Sequence, residues 1–193
     1  MTMPLDDSDA APTEALLRLY ANGDRFASRI LAARLVPRVL SHAERLLGNR
    51  AEAEDVAQEA MLRLWKIAPE WRTGEAKVST WLYRVVANLC TDRLRRRRGV
   101  DLDAVPEPED GRASVADVMQ QTARAEALQA ALLRLPGRQA QAVSLRHIEE
   151  LGNPEIAGIM DISVEAVESL IARGKRALTA DLARQREALG ISE

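Results

Sequence analysis

The segment GVDLDAVPEPEDGRASVAD, residues 99–117, restricts the fold more than any other stretch of the chain. It carries Gly99, Pro106, Pro108 and Gly111, and neither helical nor strand periodicity runs through it. Its acids Asp101, Asp103, Glu107, Glu109, Asp110 and Asp117 face only Arg112, so the segment repels itself and stays extended around its prolines. One continuous core cannot pass through such a stretch. The 193 residues must therefore fold as two lobes, each of the size of a small domain. The expected plan is a disordered tail at 1–12, a first domain at 13–98, a flexible acidic linker at 99–122, a second domain at 123–184 and a tail at 185–193.

Both lobes read as helical and strand signals are almost absent, so the fold class is all-α: two small helical domains joined by an acidic linker. In residues 24–49, DRFASRILAARLVPRVLSHAERLLGN, apolar residues fall at helical spacing and Gly48-Asn49 supplies a stop, with Pro37 expected to bend or divide the helix. A second helix follows in AEAEDVAQEAMLRLWKIAP, where Val56, Ala60, Met61 and Leu64 share one face and Asp55, Gln58, Glu59, Arg63 and Lys66 occupy the rest. Pro69 ends it. In the third, Ser79 or Thr80 is the expected N-cap, and Leu82, Val85, Val86, Leu89 and Leu94 point inward.

The third helix ends in an unusual way. Residues 79–98 hold Arg84, Arg93, Arg95, Arg96, Arg97 and Arg98 against the single acid Asp92, while the linker reverses that balance. The formal net charge of -2 hides this asymmetry, which favours an anionic partner for the helix. With the apolar stripe turned inward, Trp81, Arg84, Asn88, Thr91 or Asp92, and Arg95 line another face. Trp65, Trp71, Trp81 and Tyr83 lie close by in sequence. Aromatic rings beside guanidinium groups suit opened nucleic acid, in which bases stack and phosphates are held. A single tryptophan is more often core, so the conjunction carries the reading.

The second lobe contains NPEIAGIMDISVEAVESLIARGKRAL. Asn153 is the expected N-cap with Pro154 at the first helical position, Asp161-Ile162 makes the turn, and Ser163 caps the next helix. Val167, Leu170 or Ile171, Gly174 and Leu178 face inward, leaving Glu165, Glu168, Ser169, Ala172, Arg173, Lys175 and Arg176 outside. Short helix, tight turn and long helix form the helix-turn-helix plan, whose second helix enters a major groove. A plain helical hairpin has the same outline.

Taken together, AEAEDVAQEAMLRLWKIAPEW, STWLYRVVANLCTDRLRRRRG and ALLRLPGRQAQAVSLRHIEELGNPEIAGIMDISVEAVESLIARGKRAL resemble a bacterial RNA polymerase sigma factor of the extracytoplasmic function (ECF) type, over roughly residues 10–182. The resemblance implies a sigma-2-like helical bundle and a sigma-4-like helix-turn-helix domain. It implies that Asp55, Gln58, Glu59, Arg63 and Trp65 dock on the clamp helices of the largest subunit of core RNA polymerase. For recognition and melting of the -10 element it implicates Trp71, Arg72, Lys77, Ser79, Thr80, Trp81, Tyr83, Arg84, Asn88, Arg93, Arg95 and Arg96. The loop at 71–78 would capture a flipped base, and the arginine tail would hold duplex phosphates. The -35 element would meet Ser163, Glu165, Glu168, Ser169, Arg173, Lys175 and Arg176, with the polymerase flap as a further partner. Glu168 and Leu170 stand where the family usually carries basic residues. The linker would thread the polymerase channels, and an anti-sigma factor would control the protein.

The same reading makes the protein a cytoplasmic binding factor, not an enzyme, with no cofactor and no metal. Cys90 alone excludes an internal disulfide, and His42 and His147 show no zinc spacing. No signal peptide and no membrane-spanning apolar run is expected. Two rivals are a conventional helix-turn-helix regulator acting without polymerase and a helical enzyme using His147 with Glu149 or Glu150. No motif sets a nucleophile or metal beside that histidine.

Overall fold

A computed structural model describes residues 11–72, 74, 77–100 and 116–188, with the backbone alone for 98–100, 116–124 and 185–188. Among them the chain forms eight α-helices: α1 Thr13–Ala21, α2 Arg25–Leu47, α3 Arg50–Ile67, α4 Val78–Val100, α5 Ala116–Arg134, α6 Gly137–His147, α7 Asn153–Met160 and α8 Val164–Ala188. A 3-10 turn at Ala68–Glu70 follows α3, as Pro69 requires. The central linker residues expected to be extended, 101–115, and the tail at 1–10 lie outside the described residues. Helix α4 continues through Gly99, and α5 starts at Ala116, both inside the stretch expected as linker.

The first lobe is built from α1 to α4 around one core. Leu31, Leu35 and Val39 of α2, Val56, Ala60 and Leu64 of α3, and Leu82 and Val86 of α4 are buried together with Leu16 and Leu17 of α1. Each such leucine or valine contributes about 1.5–3 kcal/mol by leaving water. Helix α2 begins at Asp24, whose carboxylate accepts from the Phe26 and Ala27 N–H groups, and ends at Gly48 in the left-handed conformation. It runs on through Pro37 as one helix, so of the expected bend or division the division does not occur. Burial of Leu31, Leu35, Val39, Ala43 and Leu47 on both sides of the proline outweighs the lost hydrogen bond.

Helix α1 is an element that sequence patterning missed. It also explains why the expected cap of α4 is wrong. The helix starts at Val78, so Ser79 and Thr80 lie in its first turn, and the Val78 N–H donates 3.0 Å to the Glu14 carboxylate of α1. A carboxylate at a helix N-terminus satisfies a free donor and meets the positive end of the dipole.

The second lobe packs α6, α7 and α8 around Leu145, Ile156, Ile159 and Val167, with α5 joining through Ala131, Leu132, Val143 and Leu178. Helix α7 begins one residue earlier than expected, with Gly152 as its N-cap and Glu155 reaching back to the Gly152 N–H. Asn153 does not cap; its side-chain amide donates 3.3 Å to Glu168 of α8. The remaining turn chemistry follows the sequence. Asp161 is left-handed at φ 53°, and Ser163 Oγ accepts from the Ala166 N–H. At Gly174 helices α6 and α8 approach so closely that a Cβ would lie 2.6 Å from Val143 Cγ2.

The lobes touch. Helix α7 lies along α4 and α6 against α2, and α5 packs on the end of α2, where Leu133 closes over Gly48.

Candidate nucleic-acid interface

Two helices of the first lobe set out most of the residues singled out above. On α3, Asp55, Gln58 and Arg63 are exposed, Glu59 pairs with Arg63 at 2.8 Å, and Trp65 is half-buried against the Tyr20 ring at 4.6 Å. Beside them runs a groove of about 410 Å³ lined by Val36, Leu40, Ala57, Met61, Leu62 and Trp65, with Glu54 and Gln58 on its rim. Leu62 is 55% exposed there, a large apolar side chain offered to solvent.

At the head of α4 the rings of Trp71 and Trp81 meet edge to face, centroids 5.9 Å apart. The Trp71 indole N–H is buried and meets no acceptor among the described residues, a loss that an incoming acceptor would recover. Arg72 is exposed, while Ser79, Thr80 and Trp81 are half-buried. Along the outer side of α4, Arg84, Asn88 and Arg95 are exposed in the register expected from the sequence, and Arg96 is exposed next to Arg95. Asp92 holds Arg95 at 3.0 Å, and Arg97 ties to Glu52 at 2.7 Å and to the Leu47 carbonyl. Arg93 pairs with Asp55 at 3.4 Å, which joins a residue assigned to DNA with one assigned to polymerase.

Two members of the set are placed elsewhere. Tyr83 is only 6% exposed, packed into the second lobe's cluster of Leu145, Ile156 and Ile159, and its hydroxyl donates to Glu149. Burial and then that bond push its phenol pKa above the ordinary value. Lys77 reaches Glu155 of α7 at 2.7 Å, and the Lys77 hydrogen bond leads in lowering the Glu155 pKa.

On the second lobe, α8 presents Glu165, Glu168, Ser169, Arg173, Lys175 and Arg176 to solvent. Ser163 serves as cap, and Arg173 and Arg176 lie along the helix, bonding back to the Ser169 and Ala172 carbonyls. A depression of about 450 Å³ between α6, α7 and α8 is lined by Arg146, His147, Asn153, Glu168, Lys175 and Arg176. Burial, then Lys175 and Arg146, lower the His147 pKa, so the basic groups there discourage a further positive charge. Glu149 is engaged by Arg45 and Tyr83 instead, away from this depression. His147 and Glu149 are thus not brought together as a catalytic pair.

Sequence reasoning missed a buried polar cluster between the lobes. Arg45 of α2 donates to Glu149 and, at 3.1 Å, to Ser144 Oγ of α6. His42 is fully buried beside them, its ring 5.1 Å from Tyr83 and its Nδ1 3.5 Å from Ser144 Oγ. Its Nδ1 is also 3.9 Å from Glu149, yet that carboxylate is already turned to Arg45 and Tyr83. Burial, and then the Arg45 charge, therefore win and lower the His42 pKa to about 3. The only signal in the sequence was His42 on the apolar face of α2.

A helix-turn-helix lobe packed against a bundle with an aromatic and arginine-rich helix defines a two-lobed DNA-engaging protein. The family model Sigma-70 region 2 matches residues 31–100, and Sigma-70, region 4 matches residues 125–178. The chain is 34% identical over 149 residues to the ECF RNA polymerase sigma factor SigW of Bacillus subtilis, covering 72% of this chain and 79% of that one. It is 36% identical over 165 residues to the ECF RNA polymerase sigma factor SigM of Mycobacterium tuberculosis, covering 84% and 81%. In fold it is similar to CnrH, solved in complex with the cytosolic domain of CnrY, with a TM-score of 0.65 at 23% identity over 92% of this chain and 99% of that one. The protein belongs to the ECF sigma factors of bacterial RNA polymerase. Among the described residues no helix is long and apolar enough to cross a membrane.

Proposed function

We propose that the chain loads onto core RNA polymerase through the α3 face, opens the -10 element with α4 and the loop before it, and reads the -35 element with α8. The observation that carries this is the continuity of the Trp71–Trp81 pair with exposed Arg84, Asn88, Arg95 and Arg96 on one helix. Rings can take up unstacked bases while the guanidinium groups hold adjacent phosphates, without reading sequence. The apolar groove on α3 with its exposed Leu62 suits a helical partner, and Gln58, Asp55 and Glu59 rim it with polar groups. On α8, Arg173, Lys175 and Arg176 supply phosphate contacts or guanine edges. Glu168, steadied by Asn153, is suited to accept from a cytosine amino group.

The action is binding and isomerisation, without covalent chemistry or cofactor, in the cytoplasm. CnrH was solved with the cytosolic domain of CnrY, and a sigma factor of Bartonella quintana similar in fold, at TM-score 0.63, was solved with an anti-sigma factor. Control by an anti-sigma factor is the matching expectation for this chain. The test is transcription in vitro from a pool of promoter fragments by core polymerase with and without the protein. New starts that share two spaced elements are expected. No stimulation, together with tight duplex binding by the protein alone, overturns the reading in favour of a conventional regulator.

A further inference from the structure

Asn153 is the expected cap of α7, and the structure releases it from that role. Glu155 satisfies the Gly152 N–H, and the Asn153 side chain is turned across to α8, where its amide donates 3.3 Å to the Glu168 carboxylate. A carboxylate only accepts, so this bond fixes which end of the carboxamide faces Glu168. The other end, Asn153 Oδ1, is buried and meets no donor among the described residues. An orphaned acceptor costs stability, and an alanine at this position would avoid that cost. Nothing in the folding of α7 calls for this side chain; what it does is hold Glu168.

The place where Glu168 stands explains why holding it matters. It is exposed on α8, one turn before the exposed Ala172, and both line the depression of about 450 Å³ between α6, α7 and α8. Arg146, Lys175 and Arg176 line it too, yet among the described residues none of them pairs with Glu168. Arg146 donates instead to the Leu151 carbonyl at 3.0 Å, and Arg176 to the Ala172 carbonyl at 3.4 Å. The carboxylate is thus oriented by a neutral amide and keeps lone pairs for another donor, while the basic groups around it offset its repulsion of phosphates. In a major groove such a group meets an amino edge well and an acceptor edge badly. Cytosine offers its N4 amino group, guanine and thymine offer acceptors, and adenine sets the acceptor N7 beside its amino group. One turn on, Ala172 is too short to fill the depression, and the half-buried Ile171 lies beside it. A thymine methyl is the base-edge group that suits such an apolar floor.

We propose that Asn153 is a positioning residue for promoter specificity: it presents Glu168 to a cytosine of the -35 element, and the floor made by Ala172 and Ile171 takes the methyl of a thymine within about two base pairs of it. This rests on the -35 role assigned to α8 above. Arginine and lysine contacts to phosphates fix the register of the helix but carry no sequence information, so these uncharged neighbours of Glu168 set the preference.

The test uses holoenzyme assembled from the full chain and core polymerase. Binding to, and transcription from, a duplex promoter library with all four bases at each -35 position are read by sequencing for wild type, Asn153→Ala, Asn153→Asp and Glu168→Gln, and the melting temperature of each free protein is taken alongside. Wild type is expected to prefer cytosine about tenfold at one position. Both Asn153 variants should cut this to about threefold or less, one by losing the donor and the other by setting a second carboxylate against Glu168. Glu168→Gln should move the preference at that position to adenine, whose N6 and N7 a carboxamide meets with its acceptor and donor. Replacing the nearby thymine by uracil, which lacks the methyl, should weaken wild-type binding about threefold. Asp serves the start of a helix as well as Asn does, so a role confined to α7 would leave Asn153→Asp with the wild-type base preference, and that result overturns the positioning role. If Asn153→Ala lowers the melting temperature sharply, Asn153→Asp decides. A wild type indifferent to uracil at every thymine overturns the methyl site. Promoter-dependent starts with no base preference at any -35 position remove this inference alone, whereas no starts with any of the proteins removes the promoter reading on which it rests.

Discussion

Acidification should destabilise this protein through His42. The imidazole is fully buried beside Arg45 of α2, Tyr83 of α4, Ser144 of α6 and Glu149, and its pKa is lowered from 6.5 to about 3, by burial first and then by Arg45. Its folded-state value lies below its unfolded one. Above pH 6.5 both states are neutral there and nothing is lost; as pH falls, the unfolded chain takes up a proton that the folded chain refuses. The loss grows at about 1.4 kcal/mol per pH unit from 6.5 down to about 3, which amounts to about 2 kcal/mol at pH 5. Urea unfolding followed by circular dichroism at pH 7.5 and 5.0 measures it, with His42→Leu as the comparison. His147 titrates in the same window but is present in both proteins, and Glu155 and Asp181, both with lowered pKa, act only at lower pH. Wild type should lose about 2 kcal/mol more than His42→Leu. An equal loss would refute the neutral, buried imidazole, and a gain for wild type would show an imidazolium paired with Glu149.

Two further outcomes follow from packing and capping. Gly174→Ala should lower stability by about 1 kcal/mol net in urea unfolding, because the clash with the β-branched Val143 outweighs the helix propensity gained, and adding Val143→Ala should restore part of it. Glu14→Ala should cost about 1 kcal/mol and lower the melting temperature, since it removes the carboxylate on the Val78 N–H; Glu14→Gln should cost less.

Helices α2, α3 and α8 were legible because their buried residues recur at helical spacing over several turns and their ends carry Asp24, Gly48, Asn49 and Ser163. Helix α1 was not, because it is nine residues long and its buried pair, Leu16 and Leu17, is too brief to establish a period. The cap at Ser79 or Thr80 failed because that local preference is overruled by Glu14, 64 residues away. The cap at Asn153 failed for a local reason: Glu155 bonds the Gly152 N–H and sets the start of the helix one residue upstream. The exposed face of α4 and the outer residues of α8 stood out because charge and exposure go together. The fate of Tyr83 was invisible, since its partner Glu149 lies 66 residues away and Arg45 meets Glu149 across 104.

The Glu14 contact also bears on where the first lobe begins. The Sigma-70 region 2 model starts at residue 31, within α2, yet α1 lies outside it and brings Leu16 and Leu17 to the shared core and a carboxylate to the first turn of α4. Anyone isolating that lobe for binding work should start upstream of Thr13. A fragment trimmed to the homologous segment would strip α4 of its support and report a weakened fold as weak binding.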